Sequence, residues 1–112
     1  MKKWTLRFRA VDKANFFEIK NGLKLVETRA ATLKYRQIKR GDILVIVCGK
    51  FRLQKKVQRA RLFGSIGAMT KRIPYRKIMP SARSLGEVRQ AYYSYNGYRE
   101  KLKKYGVIAL DL

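Results

Sequence analysis

Trp4, Leu6, Phe8 and Ala10 alternate with Thr5, Arg7 and Arg9, the period of two that marks a half-buried strand. Asp12 then offers a helix N-cap, and Ala14 to Lys20 carries Phe16, Phe17 and Ile19 toward Asn21-Gly22. That pattern predicts a short helix closed by a glycine in the left-handed conformation. Lys24 to Ala31 reads as a second strand, with Lys24, Val26, Thr28 and Ala30 on one face and Leu25, Glu27, Arg29 and Ala31 on the other. Thr32 to Arg36 is a polar connection with room for one helical turn. Lys39-Arg40-Gly41-Asp42 has turn chemistry, its glycine free to take a positive φ. Ile43 to Cys48 is a continuous apolar run, too short for a typical helix and rich in β-branched residues, which predicts a central strand covered on both faces. Gly49-Lys50 follows as a hairpin turn.

The partner strand reads as one long run from Phe51 to about Phe63. Its apolar positions start odd (Phe51, Leu53, Val57) and end even (Ala60, Leu62), the phase change that a β-bulge produces in the long bent strands that close small barrels. Short helical turns are expected around Ser65–Thr70 and Pro74–Ile78, interrupted before the two prolines. Ser84-Leu85-Gly86-Glu87 is a capping box, and Leu85, Val88, Ala91, Tyr92 and Tyr95 recur at helical spacing, so a helix should run from about 84 to 95. Tyr98 to Lys104 predicts a further helical turn and Gly106 to Leu110 a buried closing strand. No repeat or linker interrupts the chain. The expectation is one α+β domain over residues 1–112, a small barrel of mostly antiparallel strands with packed short helices.

Charge changes the picture more than any local motif. Lys and Arg total 28 against 7 Asp and Glu, a formal net charge of +21 in 112 residues, while hydrophobic residues make up 46% of the chain and supply a core. Self-repulsion at that density disfavours a compact state, so a polyanionic partner is the natural counterweight, nucleic acid before an anionic membrane. No apolar run approaches the ~20 residues of a transmembrane helix, and Arg7 and Arg9 interrupt any signal-peptide core, so the expectation is a cytoplasmic protein. The single cysteine, Cys48, falls in the apolar run and reads as a buried small hydrophobe. Histidine is absent, which removes the commonest general base and metal ligand together. No metal-ligand spacing and no cofactor motif is present, and any chemistry would fall to Lys, Tyr, Glu, Asp or Thr.

Lys24, Glu27 and Arg29 lie unusually close together for a core strand. They are solvated on an outer face, steady the barrel as an internal ion-pair cluster, or line a pocket. The order Gly22-x-Lys24-x-x-Glu27-x-Arg29, then Ile38-Lys39-Arg40-Gly41-Asp42 before an apolar strand, then a late Tyr105-Gly106-Val107 strand, resembles the ASCH domain of the PUA-like superfamily. The resemblance spans Trp4 to Leu112 and is closest to the short, single-domain microbial members. It implies a pseudo-barrel of five or six strands with helices packed at one side and a cleft between them. It also implies RNA binding, with Lys24, Glu27 and Arg29 lining the cleft. Some small members are amidohydrolases that deacetylate N4-acetylcytidine through a Lys, a Thr and a Glu. Here the Lys is kept as Lys24, Glu27 stands where those enzymes carry the Thr, with Thr28 beside it, and Ser81 falls where they carry the Glu.

The leading expectation is therefore a non-catalytic RNA-binding module that takes single strands or loops, with DNA as a possible substitute and no membrane; the sequence does not give the oligomeric state, with a monomer the default. Lys24, Glu27 and Arg29 would hold a nucleotide or unstacked base. Lys34, Arg36, Lys39, Arg40, Lys55, Lys56 and Arg59 would track phosphates, and Tyr93 and Tyr98, off the helix's core face, would stack on bases. Tyr92 and Tyr95 are expected in the core. The alternative is a metal-independent hydrolase of a modified nucleoside or of RNA, with Lys24, Glu27 and Thr28 as its catalytic residues. A small ribosome-associated basic protein is a third reading, sharing the partner but not the pocket.

Overall fold

A three-stranded and a second three-stranded sheet, each with its own core, carry the architecture in the computed structural model, which describes residues 1–112. The strands are β1 (Lys3–Phe8), β2 (Val26–Ala30), β3 (Ile43–Cys48), β4 (Phe51–Lys56), β5 (Arg59–Phe63) and β6 (Val107–Asp111). The helices are α1 (Lys13–Lys20), α2 (Ile66–Thr70), α3 (Tyr75–Ile78), α4 (Leu85–Ser94) and α5 (Tyr98–Tyr105), with 3-10 turns at Ala10–Asp12 and Tyr35–Gln37. The first sheet has the order β1-β3-β4 and the second β2-β6-β5. Only β1 and β3 run parallel; the other pairs are antiparallel. No helix is long and apolar enough to cross a membrane.

The continuous apolar run at 43–48 is the centre of the first sheet, as its pattern predicts, and β6 is the centre of the second. But β3 is not covered on both faces: Leu44, Ile46 and Cys48 enter the core while Ile43 and Val47 on the other face stay half-buried. The register of the second sheet sorts its side chains. Glu27 aligns with Leu110 and Ala60, and Arg29 with Ile108 and Leu62, all on one face. Ile108 and Leu110 on that face join Leu6, Phe16, Ile19, Leu44 and Ile46 in the core between the sheets and α1. The opposite face, with Val26, Ala30, Val107 and Ala109, packs on Ile66, Met69, Ile78, Val88 and Leu102 from the later helices. The second sheet is thus covered on both sides, which explains why β2 has little solvent-exposed surface despite its charges.

Several expectations are corrected. The sheets do not close into a barrel, and the long strand from Phe51 to Phe63 is two strands in different sheets. Its phase change is a crossing and not a bulge. Val57 still pairs with the first sheet's margin, donating to Asp42 O at 2.8 Å and accepting from Gly41 N at 2.9 Å. Gln58 already donates to Asp111 O, at 2.7 Å, beside the second sheet. Leu62, one of the apolar positions of that run, is largely exposed. The second strand begins at Val26, so Lys24 sits in its lead-in. Asp12 does not cap α1; its carboxylate accepts from Arg9 at 3.0 Å instead.

The Ser84 cap holds, its Oγ accepting from Glu87 N at 3.2 Å, but the return half of the box is shifted by one residue: Glu87 Oε1 accepts from Arg83 N at 3.2 Å instead of from the N-cap amide. Asp42 does more than turn the chain. Its buried carboxylate accepts from the Trp4 indole at 2.9 Å and from Lys2 N and Lys39 N at 3.1 Å each, tying β1 to the start of β3. Burial alone would raise its pKa; these donors together hold it below the ordinary value of 3.8.

Gly106, at φ 75° and ψ −161°, joins α5 to β6 in a conformation essentially reserved for glycine. A Cβ there would stand 2.4 Å from Phe63 O. Gly106→Ala is expected to cost about 3 kcal/mol or more, because strain and a backbone clash act together. Urea denaturation checks this, and a loss below ~1 kcal/mol would show that the junction relaxes freely.

Candidate functional site

A cleft of about 390 Å³ opens along the free edge of β2, between the end of β1, the start of α1 and the α4–α5 junction. Local sequence aims the first side chain into it. Gly22 takes the left-handed conformation after α1, with Gly22 N donating to Ile19 O at 3.2 Å and Leu23 N to Glu18 O at 2.9 Å. These two bonds are a Schellman motif, which turns the chain sharply at the helix end. Lys24 N also donates to Glu18 O, at 3.0 Å, which fixes the backbone from which the Lys24 side chain enters the cleft.

Glu27 is the centre of the site, only 4% exposed, with Lys24 at 6%. Glu27 Oε1 lies 3.3 Å from Lys24 Nζ and accepts from Thr28 N at 2.9 Å, while Oε2 lies 3.5 Å from the Arg29 guanidinium. Burial opposes the carboxylate's charge. Lys24, Arg29 and the Thr28 amide outweigh it and hold the Glu27 pKa below the ordinary 4.5. Arg29 also stacks its guanidinium on the Phe8 ring at 5.2 Å and keeps 22% of its side chain exposed toward the cleft.

Tyrosines finish the edge of β2. Ala30 N donates to the Tyr98 hydroxyl at 2.7 Å, and Thr28 Oγ1 shares a short hydrogen bond with the Tyr92 hydroxyl. With Thr28 N held by Glu27 and Ala30 N by Tyr98, two backbone donors at the strand edge that would otherwise template another strand are occupied. Tyr92 and Tyr98 stack with ring centroids 6.2 Å apart, and Tyr95 meets Tyr98 edge-on at 5.5 Å. Burial raises the pKa of all three phenols, so they remain neutral at physiological pH. Arg7, the Arg9–Asp12 pair, Asn15 and Asn96 complete the lining.

The structure therefore brings Lys24, Glu27, Thr28, Arg29 and Tyr98 into one cleft. Arg36, Lys39, Arg40 and Arg59 line a separate groove. Lys34, Lys55 and Lys56 line neither, and Tyr93 is exposed under the Arg99 guanidinium at 4.5 Å, away from the cleft. Tyr93 does not line the cleft, because the step of about 100° between successive helical residues turns it away from Tyr92. Tyr92 is in the core as expected, yet its hydroxyl reaches the cleft, and Tyr95 faces it directly. Phe8, Asp12, Asn15, Met79 and Asn96 carried no sequence signal for a site, since the elements holding them meet only in three dimensions. No three His, Cys, Asp or Glu side chains gather where they could hold a metal ion.

The chain is similar to the crystal structure of the hypothetical protein PH0355, at 32% identity, covering 99% of this chain and 96% of that one, with a TM-score of 0.83. It is also similar to the solution NMR structure of protein PF0455 from Pyrococcus furiosus, at 31% identity, covering 97% and 94% of the two chains, with a TM-score of 0.74. No protein-family model and no curated protein matches it.

Glu27→Gln is expected to cost about 3–5 kcal/mol at pH 7, because it leaves the Lys24 ammonium buried without its counter-charge. The Glu27 pKa is depressed on folding, so the parent's advantage is complete above the ordinary glutamate value of 4.5 and declines as pH falls below it. Urea denaturation of both proteins at pH 7 and at successively lower pH checks the sign. A difference that stays constant into strong acid would mean that Glu27 is not ionised in the fold.

Proposed function

The chain belongs to one family with the hypothetical protein PH0355 and protein PF0455, and we propose that it is an RNA-binding module whose cleft holds one unstacked nucleotide. We assign its two sheets, flanking helices and intervening cleft to the ASCH, PUA-like type of fold, on the resemblance carried by Gly22-x-Lys24-x-x-Glu27-x-Arg29. The observation that carries the reading is the composition of the cleft. Four cationic side chains, Arg7, Arg9, Lys24 and Arg29, meet two anionic ones, Asp12 and Glu27, beside the rings of Phe8, Tyr95 and Tyr98. Arg29 supplies a guanidinium fork for a phosphate. The tyrosine and phenylalanine rings offer apolar walls for a base, and Asn15 and Asn96 offer donors and acceptors for its edge.

The cleft volume of about 390 Å³ lies at the small end of ligand sites, which suits one nucleotide better than a stretch of strand. Single strands and loops are the natural source, because only there can a base leave its stack cheaply. The chain's net charge of +21 supplies long-range attraction for such a polyanion.

Hydrolysis of a modified nucleoside such as N4-acetylcytidine is the second reading, favoured by one observation: Lys24, Glu27 and Thr28 line the same cleft. The surrounding chemistry supports binding better. Glu27 is held ionised by three donors, which suits neither a proton donor nor a strong base. The Thr28 hydroxyl is paired with the Tyr92 phenol, whose proton burial retains, so Tyr92 does not activate it as a nucleophile.

Binding to single-stranded RNA is expected to weaken with salt, with a log–log slope of about −0.7 per phosphate neutralised. Arg29→Ala should lower affinity for a nucleoside monophosphate by roughly tenfold or more, the scale of one charge-assisted hydrogen bond. Fluorescence anisotropy across a salt series measures both. Affinity indifferent to salt would sink the proposal, and turnover of acetylated cytidine that depends on Lys24 would replace it with the hydrolase.

A further inference from the structure

We infer that the chain carries a second site for the RNA, a groove of about 500 Å³ that grips the sugar–phosphate backbone while the cleft holds the base. This rests on the RNA-binding reading and adds to it a division of labour between two places. Arg36, Lys39 and Arg40, from the connection between β2 and β3, line this groove together with Arg59 at the start of β5, which stands opposite Asp111 in the sheet register while Arg61 takes the Asp111 carboxylate. No acidic side chain lines it, and none of the four cations has an ion-pair partner. Apart from the pull of the Lys39 ammonium on the nearby Asp42 carboxylate, their charges are not engaged within the protein.

The one acidic residue nearby in sequence, Asp42, is turned inward. Its carboxylate is consumed by Trp4, Lys2 and Lys39 backbone or indole N–H groups, and that attachment holds the 39–42 turn with Lys39 and Arg40 pointing outward. Arg36 is steadied by donating to Tyr105 O at 3.4 Å. Leu62, 54% exposed, and Ile108 form an apolar floor. No aromatic ring is present. A groove with unpaired cations, an apolar floor and no stacking platform suits phosphates and sugars and cannot stack a base.

The register of the second sheet relates the two sites. Arg29, Ile108 and Leu62 occupy one cross-strand row, so the cleft and the groove flank opposite edges of the same sheet face. Two interstrand spacings separate those edges, about 10 Å. The inner strand between them is buried under the first sheet, so an RNA touching both must pass around the β2–β3 connection. Lys34 and Arg36 lie exposed on that path.

The test uses the whole chain, a single-stranded RNA of about 12 nucleotides and a nucleoside monophosphate as the minimal cleft ligand. Arg36→Ala/Arg40→Ala is expected to weaken binding of the RNA on the order of tenfold and to reduce the salt slope by about 0.7 per charge removed. Binding of the monophosphate should stay unchanged. Arg59→Glu, from a different strand, should act in the same direction, and thermal unfolding of each variant checks that these exposed sites leave the fold intact. An unchanged RNA affinity and slope in folded variants would overturn the groove, as would equal losses for RNA and monophosphate. Loss of binding to anionic vesicles with RNA binding retained would assign the groove to membranes and overturn it too. If the parent binds no monophosphate but its RNA binding still depends on Arg36, Arg40 and Arg59, the groove stands and the cleft reading fails.

Discussion

The ionised carboxylate of Glu27, buried at the edge of a sheet, is the constraint around which the site is built. Removing such a group from water costs several kcal/mol unless charges and donors replace the lost hydration. Lys24, Arg29 and the Thr28 amide do so. Each depends on a different device: the glycine-capped end of α1 delivers Lys24, strand alternation places Arg29 beside Glu27, and edge position frees the Thr28 amide. What faces the cleft is therefore a rigid set of charges with a partly exposed guanidinium.

The same edge explains why the tyrosines gather there. An unpaired strand edge exposes N–H groups that attract other strands. Glu27 and Tyr98 satisfy two of them, at Thr28 and Ala30. The Tyr98–Ala30 bond and the Tyr92–Thr28 hydroxyl bond fix α5 and α4 against β2 and leave Tyr95 and Tyr98 at the cleft wall. Structural satisfaction of the edge and formation of an aromatic wall are one arrangement. Asp42 plays a comparable part at the other margin, where its inward bonds orient a basic turn outward.

Much of the fold was legible in local patterns. Alternation marked β1, the apolar run marked β3, and Ser84 with Glu87 marked the start of α4, because each signal is written in the pattern of a few consecutive residues. The crossing at Val57-Gln58 was misread because a strand that leaves one sheet for another shows the same phase change as a bulge. Periodicity records which face is buried and does not record against what.

The sequence by itself determined most of the elements, though not the division of residues 51–63 between two sheets, together with the excess of positive charge and the clustering of Lys24, Glu27 and Arg29. Whether that cluster was a solvated face, an internal brace or a pocket lining depended on what covered β2, and only the tertiary structure decided it. Tyr92 meets Thr28 from 64 residues away and Tyr98 meets Ala30 from 68 residues away. Contacts at that separation are set by how the second core closes on the sheet. The Lys24, Glu27 and Arg29 cluster was visible in the chain; Arg7, Arg9, Asp12 and the aromatic walls of the cleft were not, because packing and not spacing brings them together.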